Sequence, residues 1–529
     1  MDLTSRSSKA HSLQKPSPRS IHVNALFVTA MLGLVFAVSC SSTHSTLTSD
    51  SSNQNNRRLK GNYIYTLGGS FSGVTGGFCS YCTDGPFQRA GTFVSDGNGH
   101  ITSGSDEFVQ GSTPATNTVT GSYTIADDGT GIMLLGVGNA QLELAFAIAS
   151  DSSLTWIAFD SFASGAGGAR LQDTTTLTSS PIGTFVFHVH SSQSNSGSQG
   201  SVSTVGQLTI SSGLITGRED VMRAGVFSSL TVTGTLTAPD ATGTGTLTLT
   251  DSQGFDSTFS YYVIDSSTLN LLETDSAVVN GQTQPRFGTG RAEVQSNTTF
   301  DNGSLQGAFV FSSAGEAQST SFSVVTVGAF TVDGNGNIVS GSYDSVLNGV
   351  PISNAALAGT YSVSPAGRAT IFLNSQAAVV PSIPQVAWIV NSSRAFFLVD
   401  IPGRVEDGAL NQQLSSSFSE TSLNGPFSFS MFGGDAFSPS QVDRVGVATF
   451  DGKTTLTLTN YFVNRGGSRN QTKSPGVTYT VSPNGRVSAT VDGLTNALVM
   501  YLISNNAGPL ILEDPDTEVS GGVAQQTSP

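Results

Sequence analysis

The sequence predicts an all-β protein made of four tandem antiparallel domains, each of about eight strands. Three observations predict it. An aromatic strand signal recurs four times, at Asn62-Tyr63-Ile64-Tyr65, Thr184-Phe185-Val186-Phe187, Ala308-Phe309-Val310-Phe311 and Pro426-Phe427-Ser428-Phe429. The glycines before them, Gly61, Gly183, Gly307 and Gly425, are 118 to 124 residues apart, which is the length of a whole domain. Only 11% of the 529 residues are charged and 60 are glycine, a composition of exported β-proteins rather than of helical enzymes.

Each copy repeats one order of strands and turns. The aromatic strand is followed by a low-complexity loop and then by a hairpin. In the first copy that hairpin joins Gly91–Ser95 to His100–Gly104 across Asp96-Gly97-Asn98-Gly99, and in the third its turn is Asp333-Gly334-Asn335-Gly336. Asn-Gly between alternating strands is the strongest short hairpin signal, because both residues tolerate positive φ. A second hairpin starts from Gly121-Ser122-Tyr123-Thr124-Ile125, matched by Gly359-Thr360-Tyr361-Ser362-Val363. A third turns at Asp151-Ser152-Ser153, Asp265-Ser266-Ser267, Asn391-Ser392-Ser393 and Ser504-Asn505-Asn506, and a Gly-led strand closes each copy. A meander of eight strands can close on itself and remove its edges, so an up-and-down barrel is favoured over a β-sandwich. The domains are expected at 59–175, 181–298, 303–415 and 421–526, each large enough to bury its own core and behave as a bead.

Ahead of them, residues 1–39 read as an export signal: Arg6, Lys9, Lys15 and Arg19 precede an uncharged run from Asn24 to Val38. That run is shorter than the roughly 20 apolar residues a membrane span needs. Residues 40–58 are nearly all Ser, Thr, Asn and Gln, too polar to fold, and form a tether. The net charge of −15 leaves no basic patch for nucleic acid.

Phe36-Ala37-Val38-Ser39-Cys40 resembles the lipobox of bacterial lipoproteins. The resemblance implies cleavage after Ser39 and lipid on Cys40, with Ser41 favouring the outer membrane or cell surface. An ordinary signal peptide cut nearby is the alternative. In order and size the strands resemble lipocalin- or avidin-type barrels. The whole motif set is similar to tandem β-repeat lipoproteins of bacteria, a resemblance that covers Leu59 to Gln526 and implies location and fold rather than activity.

Candidate chemistry is sparse. Cys79 and Cys82 favour a local disulfide pinching a loop over a metal or redox site, since no further thiol or His completes one. The Asp-Gly-Asn-Gly segments look like calcium loops but lack the oxygens such a loop needs. Glu107, Asp220 and Asp344 occupy matching places, as do Asp160, Asp400 and Glu513, with Glu273 and Asp275 beside that spot in copy two. Such rim acids would serve a hydrolase only as pairs across a cleft. His188 and His190 share one strand face and are expected to meet solvent. The segments Ser70–Pro86, Ser191–Thr204, Ser312–Ser321 and Gly433–Asp443 differ in every copy and are candidate binding loops. The expected function is therefore non-enzymatic: a lipid-anchored envelope protein with structural, adhesive or ligand-binding work, without cofactor. Its partner classes are the membrane and a surface glycan, a protein or a small apolar ligand. Ligand capture inside the barrels and a carboxylate-dependent hydrolase are the alternatives.

Overall fold

The computed structural model describes residues 53–73, 82–110, 114–193, 201–279, 282–317, 322–347, 349–376, 382–435, 438–491, 494–514 and 517–525. The domains are barrels, not sandwiches. In the first, Lys60–Phe71 pairs antiparallel with both the second strand, Gly85–Asp96, and the eighth, Ala163–Leu171, so the sheet closes. The third barrel closes through Gly307–Ala317 on Arg404–Gln412, and the fourth through Asn424–Asp435 on Thr517–Gln525. The second closes through Thr268–Glu273 on Gln282–Val294 and carries a ninth strand, Ser276–Val279, which hairpins onto the latter. Among the described residues, no helix is long and apolar enough to cross a membrane.

The strand alternation explains the motifs. Tyr63, Tyr65 and Leu67 point inward and pack with Phe93, Tyr123, Phe146 and Trp156 in the first core. A glycine within the second strand, Gly91, Gly206 or Gly328, makes room for the aromatic ring opposite. A Cβ on Gly206 or Gly328 would lie 2.7 or 2.5 Å from the rings of Phe187 and Phe311. The tyrosine of the second hairpin ties down a short 3-10 turn that precedes the first strand. Tyr123 donates to the carbonyls of Asn56 and Leu59 at 3.0 and 2.8 Å, and Tyr361 to those of Asn302 and Leu305 at 2.9 and 3.0 Å. Copy two has Leu236 there, and Tyr261 bonds the Thr237 carbonyl instead, at 2.6 Å. The Asp-Gly-Asn-Gly segments are turns: Asp96 Oδ1 accepts from the Asn98 and His100 amides at 2.6 and 3.1 Å. Gly97 and Gly99 sit at φ of 78° and 99°, where a side chain would be strained.

Two expectations are corrected. The low-complexity segments after the first strands are partly strand: in copies three and four the flanking strands run to Ala317 and from Ser438 and cover most of the segment, while in copies one and two they cover only its ends. Ser and Gly rungs carry no hydrophobic alternation, so the pairing is invisible to a pattern reading. The connecting residues 74–81, 194–200, 318–321 and 436–437 lie outside the described residues.

Nor are the domains independent beads: barrels one to four pack in a closed ring. Each keeps its own core, and each adjoining pair shares a smaller apolar cluster. These are Ile64, Ala90 and Val109 with Tyr262 and Ile264; Val186 and Val205 with Trp388 and Leu398; and Val310 and Val327 with Val499 and Tyr501. The ring closes with Ala145, Ala147 and Ile157 of the first barrel against Val445, Val447 and Phe462 of the fourth. Every joint sets the sixth and seventh strands of one barrel against the opening strands of its neighbour. This head-to-tail docking closes because the rotation does.

The matching acids are the polar centres of three joints. Glu107 accepts from the Tyr262 hydroxyl at 3.1 Å. Asp220 accepts from the Trp388 indole and, bidentate, from Arg368, all at 2.8 Å. Asp344 accepts from the Tyr501 hydroxyl at 2.7 Å and from Arg486. The fourth joint reverses the chemistry. Strand register places Phe462 where the others carry the acid, and Ala147 where they carry Tyr262, Trp388 or Tyr501. Its polar ties lie elsewhere, in Arg469 to Glu143 at 2.8 Å and in Asn464. The Asn464 amide nitrogen lies 2.6, 3.1 and 2.7 Å from the carbonyls of Ala158, Asp160 and Ala163.

Asn464→Ala removes the donor that those buried carbonyls share across the joint. It is expected to lower stability by about 1–3 kcal/mol. Calorimetry of the first unfolding transition checks this, and a change within about 0.5 kcal/mol, the size of an ordinary surface substitution, would refute the assignment.

Candidate functional site

The docking faces of each barrel leave its first and eighth strands on one side, and those strands surround the middle of the ring. Charges from three barrels meet there. Arg170 stands on the eighth strand of barrel one, Arg291 and Glu293 on that of barrel two, and Arg394 on the seventh strand of barrel three. Arg394 donates to Glu293 Oε2 and to Asn411 Oδ1, both at 2.7 Å, and stacks 4.9 Å over the Phe396 ring. Arg291 Nη1 is 3.6 Å from Glu293 Oε1. Arg170 forms no ion pair with a described residue. It is exposed and lines a cavity.

The cavity measures about 460 Å³ and opens between barrels one and two. Thr66, Thr155, Asn270, His188, Arg170 and Arg291 line it. Burial lowers the Arg291 guanidinium to about 10, with Arg170 the next cause, and burial followed by Arg394 lowers Arg170. Three guanidiniums thus crowd one carboxylate, in a chain of net charge −15.

His188 and His190 do face outward from their barrel, toward the joint with barrel three, where both remain partly exposed. His190 Nδ1 lies 2.6 Å from Asp407 and His188 Nδ1 3.6 Å from it. Burial would depress His190, and the Asp407 carboxylate outweighs it, holding the imidazole above its ordinary pKa. Burial would likewise raise Asp407, and the His190 charge overrides it to hold the carboxyl far below the usual range. Ser203 Oγ stands 3.0 Å from His190 and 2.7 Å from Asp407, but serine and aspartate meet the same ring nitrogen. A nucleophile relay needs them on opposite nitrogens, so this trio ties barrels together.

A second polar cluster fills one end of barrel two. Arg286 Nη1 stands between Glu273 and Asp275, at 3.4 and 3.6 Å, and donates to Ser257 at 3.2 Å. Arg223 lies 3.5 Å from Asp251 and 4.1 Å over Phe255. Burial first and Asp251 second lift Glu219 to about 7, and burial followed by Glu273 lifts Asp275 to about 7. An arginine bridges the Glu273–Asp275 pair where a glycosidase would keep a cleft for substrate.

The sequence reading missed Glu219, Asp251 and Arg286. Glu219 was detectable, since it falls on the inward parity of its strand, two residues from Gly217 and Val221. It also missed the arginine trio, whose members lie on three different domains.

The remaining expected site residues are dispersed. Asp160 is buried, accepts from the Phe162 amide at 3.0 Å and offers its carbonyl to Asn464. Burial raises Asp400, with Asp220 the next cause. Glu513 lies in the seventh strand of the fourth barrel, Ala507–Asp514. Cys82 is disulfide-bonded, while Cys79 and Cys40 lie outside the described residues. No group of three or more His, Cys, Asp or Glu that could hold a metal ion occurs among the described residues. Comparison with protein-family models, curated proteins and solved structures gives no match to this chain.

Proposed function

We propose that the chain is a non-enzymatic, lipid-anchored protein of the bacterial envelope, exported to the outer membrane or cell surface. There it displays its four barrels as one ring for structural, adhesive or ligand-binding work. One observation carries this reading: the recurring acids Glu107, Asp220 and Asp344, and the histidines of copy two, are engaged in holding barrels together. Glu107, Asp220 and Asp344 each sit under a donor from the next domain, and His190 under Asp407. A hydrolase built on those carboxylates loses its residues to the joints. The composition, the export-signal pattern and the lipobox resemblance support the location.

Ligand capture inside the barrels has less support than capture elsewhere on the ring. Trp156 is fully buried, with Tyr65 5.8 Å and Phe93 6.3 Å from its ring, and such side chains occupy the axis a ligand would need. Metabolic labelling with a palmitate analogue tests the anchor. Wild type is expected to take up label in the membrane fraction, and Cys40→Ala to lose both label and membrane association. Equal labelling of the two would refute lipidation at Cys40.

A further inference from the structure

The joints use residues that return in every copy or are exchanged in a matched way. The centre of the ring does not follow that rule. Strand register aligns Arg170 with Glu293, Asn411 and Ala524, and aligns Arg291 with Gly168, Ala409 and Gly522. A requirement of the barrel itself would recur as the joint acids do. These arginines occur once each and converge from different domains on one cavity.

We propose that this cavity binds a small anion, a carboxylate or phosphate carried on a hydroxyl-rich molecule of the acidic-sugar class. Glu293 is engaged by Arg394 at 2.7 Å, and Asp265, the other acid near Arg170, accepts from the Ser267 amide and hydroxyl at 2.7 Å. Glu293 is shared with Arg291 at 3.6 Å, so three guanidiniums stand against two carboxylates and positive charge remains in excess at the cavity. Guanidinium groups present paired N–H donors that match carboxylate and phosphate oxygens, so two of them fix one anionic group with direction. Around them Thr66, Thr155, Thr289 and Asn270 offer hydroxyls and an amide, the partners that sugar hydroxyls require. The volume of about 460 Å³ lies within the range of small-molecule sites. An anion placed there would also relieve the mutual repulsion of the guanidiniums.

The proposal deepens the ligand-binding part of the proposed function and does not depend on the lipid anchor, so failure of either test leaves the other standing. Isothermal titration calorimetry on the full chain with glucuronate, glucose 6-phosphate and neutral glucose tests it. One or both of the charged sugars is expected to bind saturably, and the stronger one identifies the anionic group. Arg170→Gln and Arg291→Gln should each weaken that binding at least about tenfold, as loss of a charge-assisted hydrogen bond does. Arg170 is accessible, so Arg170→Gln decides alone if Arg291→Gln does not fold. Absence of binding by both charged sugars, equal binding of glucose, or binding unchanged in the folded variants would overturn the assignment.

Discussion

Asp344→Ala is expected to destabilise the chain by about 3–5 kcal/mol, the cost of removing one member of a buried ion pair. The carboxylate is fully buried and holds the bidentate Arg486, the Tyr501 hydroxyl and the Asn354 amide at once. Its loss takes the bidentate carboxylate from a guanidinium that is only 8% exposed, between barrels three and four. The comparison that isolates the charge is Glu107→Ala at the first joint. There the carboxylate accepts from the Tyr262 hydroxyl, and Thr244 stands where Arg368 and Arg486 stand in the later joints. That variant should cost about 0.5–1.5 kcal/mol, the net worth of an ordinary hydrogen bond. Calorimetric unfolding of both, at one pH and salt concentration, checks the order. Equal losses would show that the arginine adds nothing to the third joint.

The second large effect is one of pH. Glu219 holds its proton more tightly folded than unfolded, its pKa rising from 4.5 to about 7 through burial and then Asp251. A raised folded pKa contributes stability that is complete below 4.5 and is lost as pH climbs toward 7. Arg223 and Arg286 oppose the shift, while Asp251 and Asp220 reinforce it. Glu219→Gln keeps the shape and removes the titration. It should flatten the fall in stability between pH 4.5 and 7 by about 3 kcal/mol and leave the variant more stable than wild type at about pH 8. Asp275 loses its proton in the same window and remains in the variant, so the flattening is partial. Urea titrations at stepped pH measure it, and parallel curves for the two proteins would contradict the buried-acid account.

Much of the fold was legible because it is local. Strand order, the Asp-Gly turns and the inward aromatic rows follow from alternation and turn chemistry within some 30 residues of chain. Closure of the barrels was legible as the device that removes exposed edges. The joints were harder, though the first strands gave a sign of them. Ile64 between Tyr63 and Tyr65, Val186 between Phe185 and Phe187, and Val310 between Phe309 and Phe311 make strands apolar on both faces. A strand buried on both sides reads that way. The acids could be aligned but not interpreted, because Trp388 and Tyr501 lie 168 and 157 residues from the carboxylates they bind. His188 and His190 were placed on the correct face of their strand. Their neighbour Asp407 comes from another domain, so the carboxylate that joins them beside the solvent had no local sign. The arginine centre had no local signature, since each residue is unexceptional within its own copy.

The exchange of Ala147 and Phe462 for an aromatic donor and an acid has a consequence for assembly. Suppose the first barrel settled during synthesis onto the receiving face of barrel two or three. Asp220 or Asp344 would then be sealed against a methyl group, and an uncompensated buried charge costs several kcal/mol. Suppose instead that the fourth barrel received barrel two or three: Phe462 would meet Tyr262 or Trp388 and leave its polar hydrogen without the carboxylate it bonds in the ring. Wrong neighbours at this joint are penalised from both sides, so the two positions commit the last barrel to receive the first and thereby shut the circle.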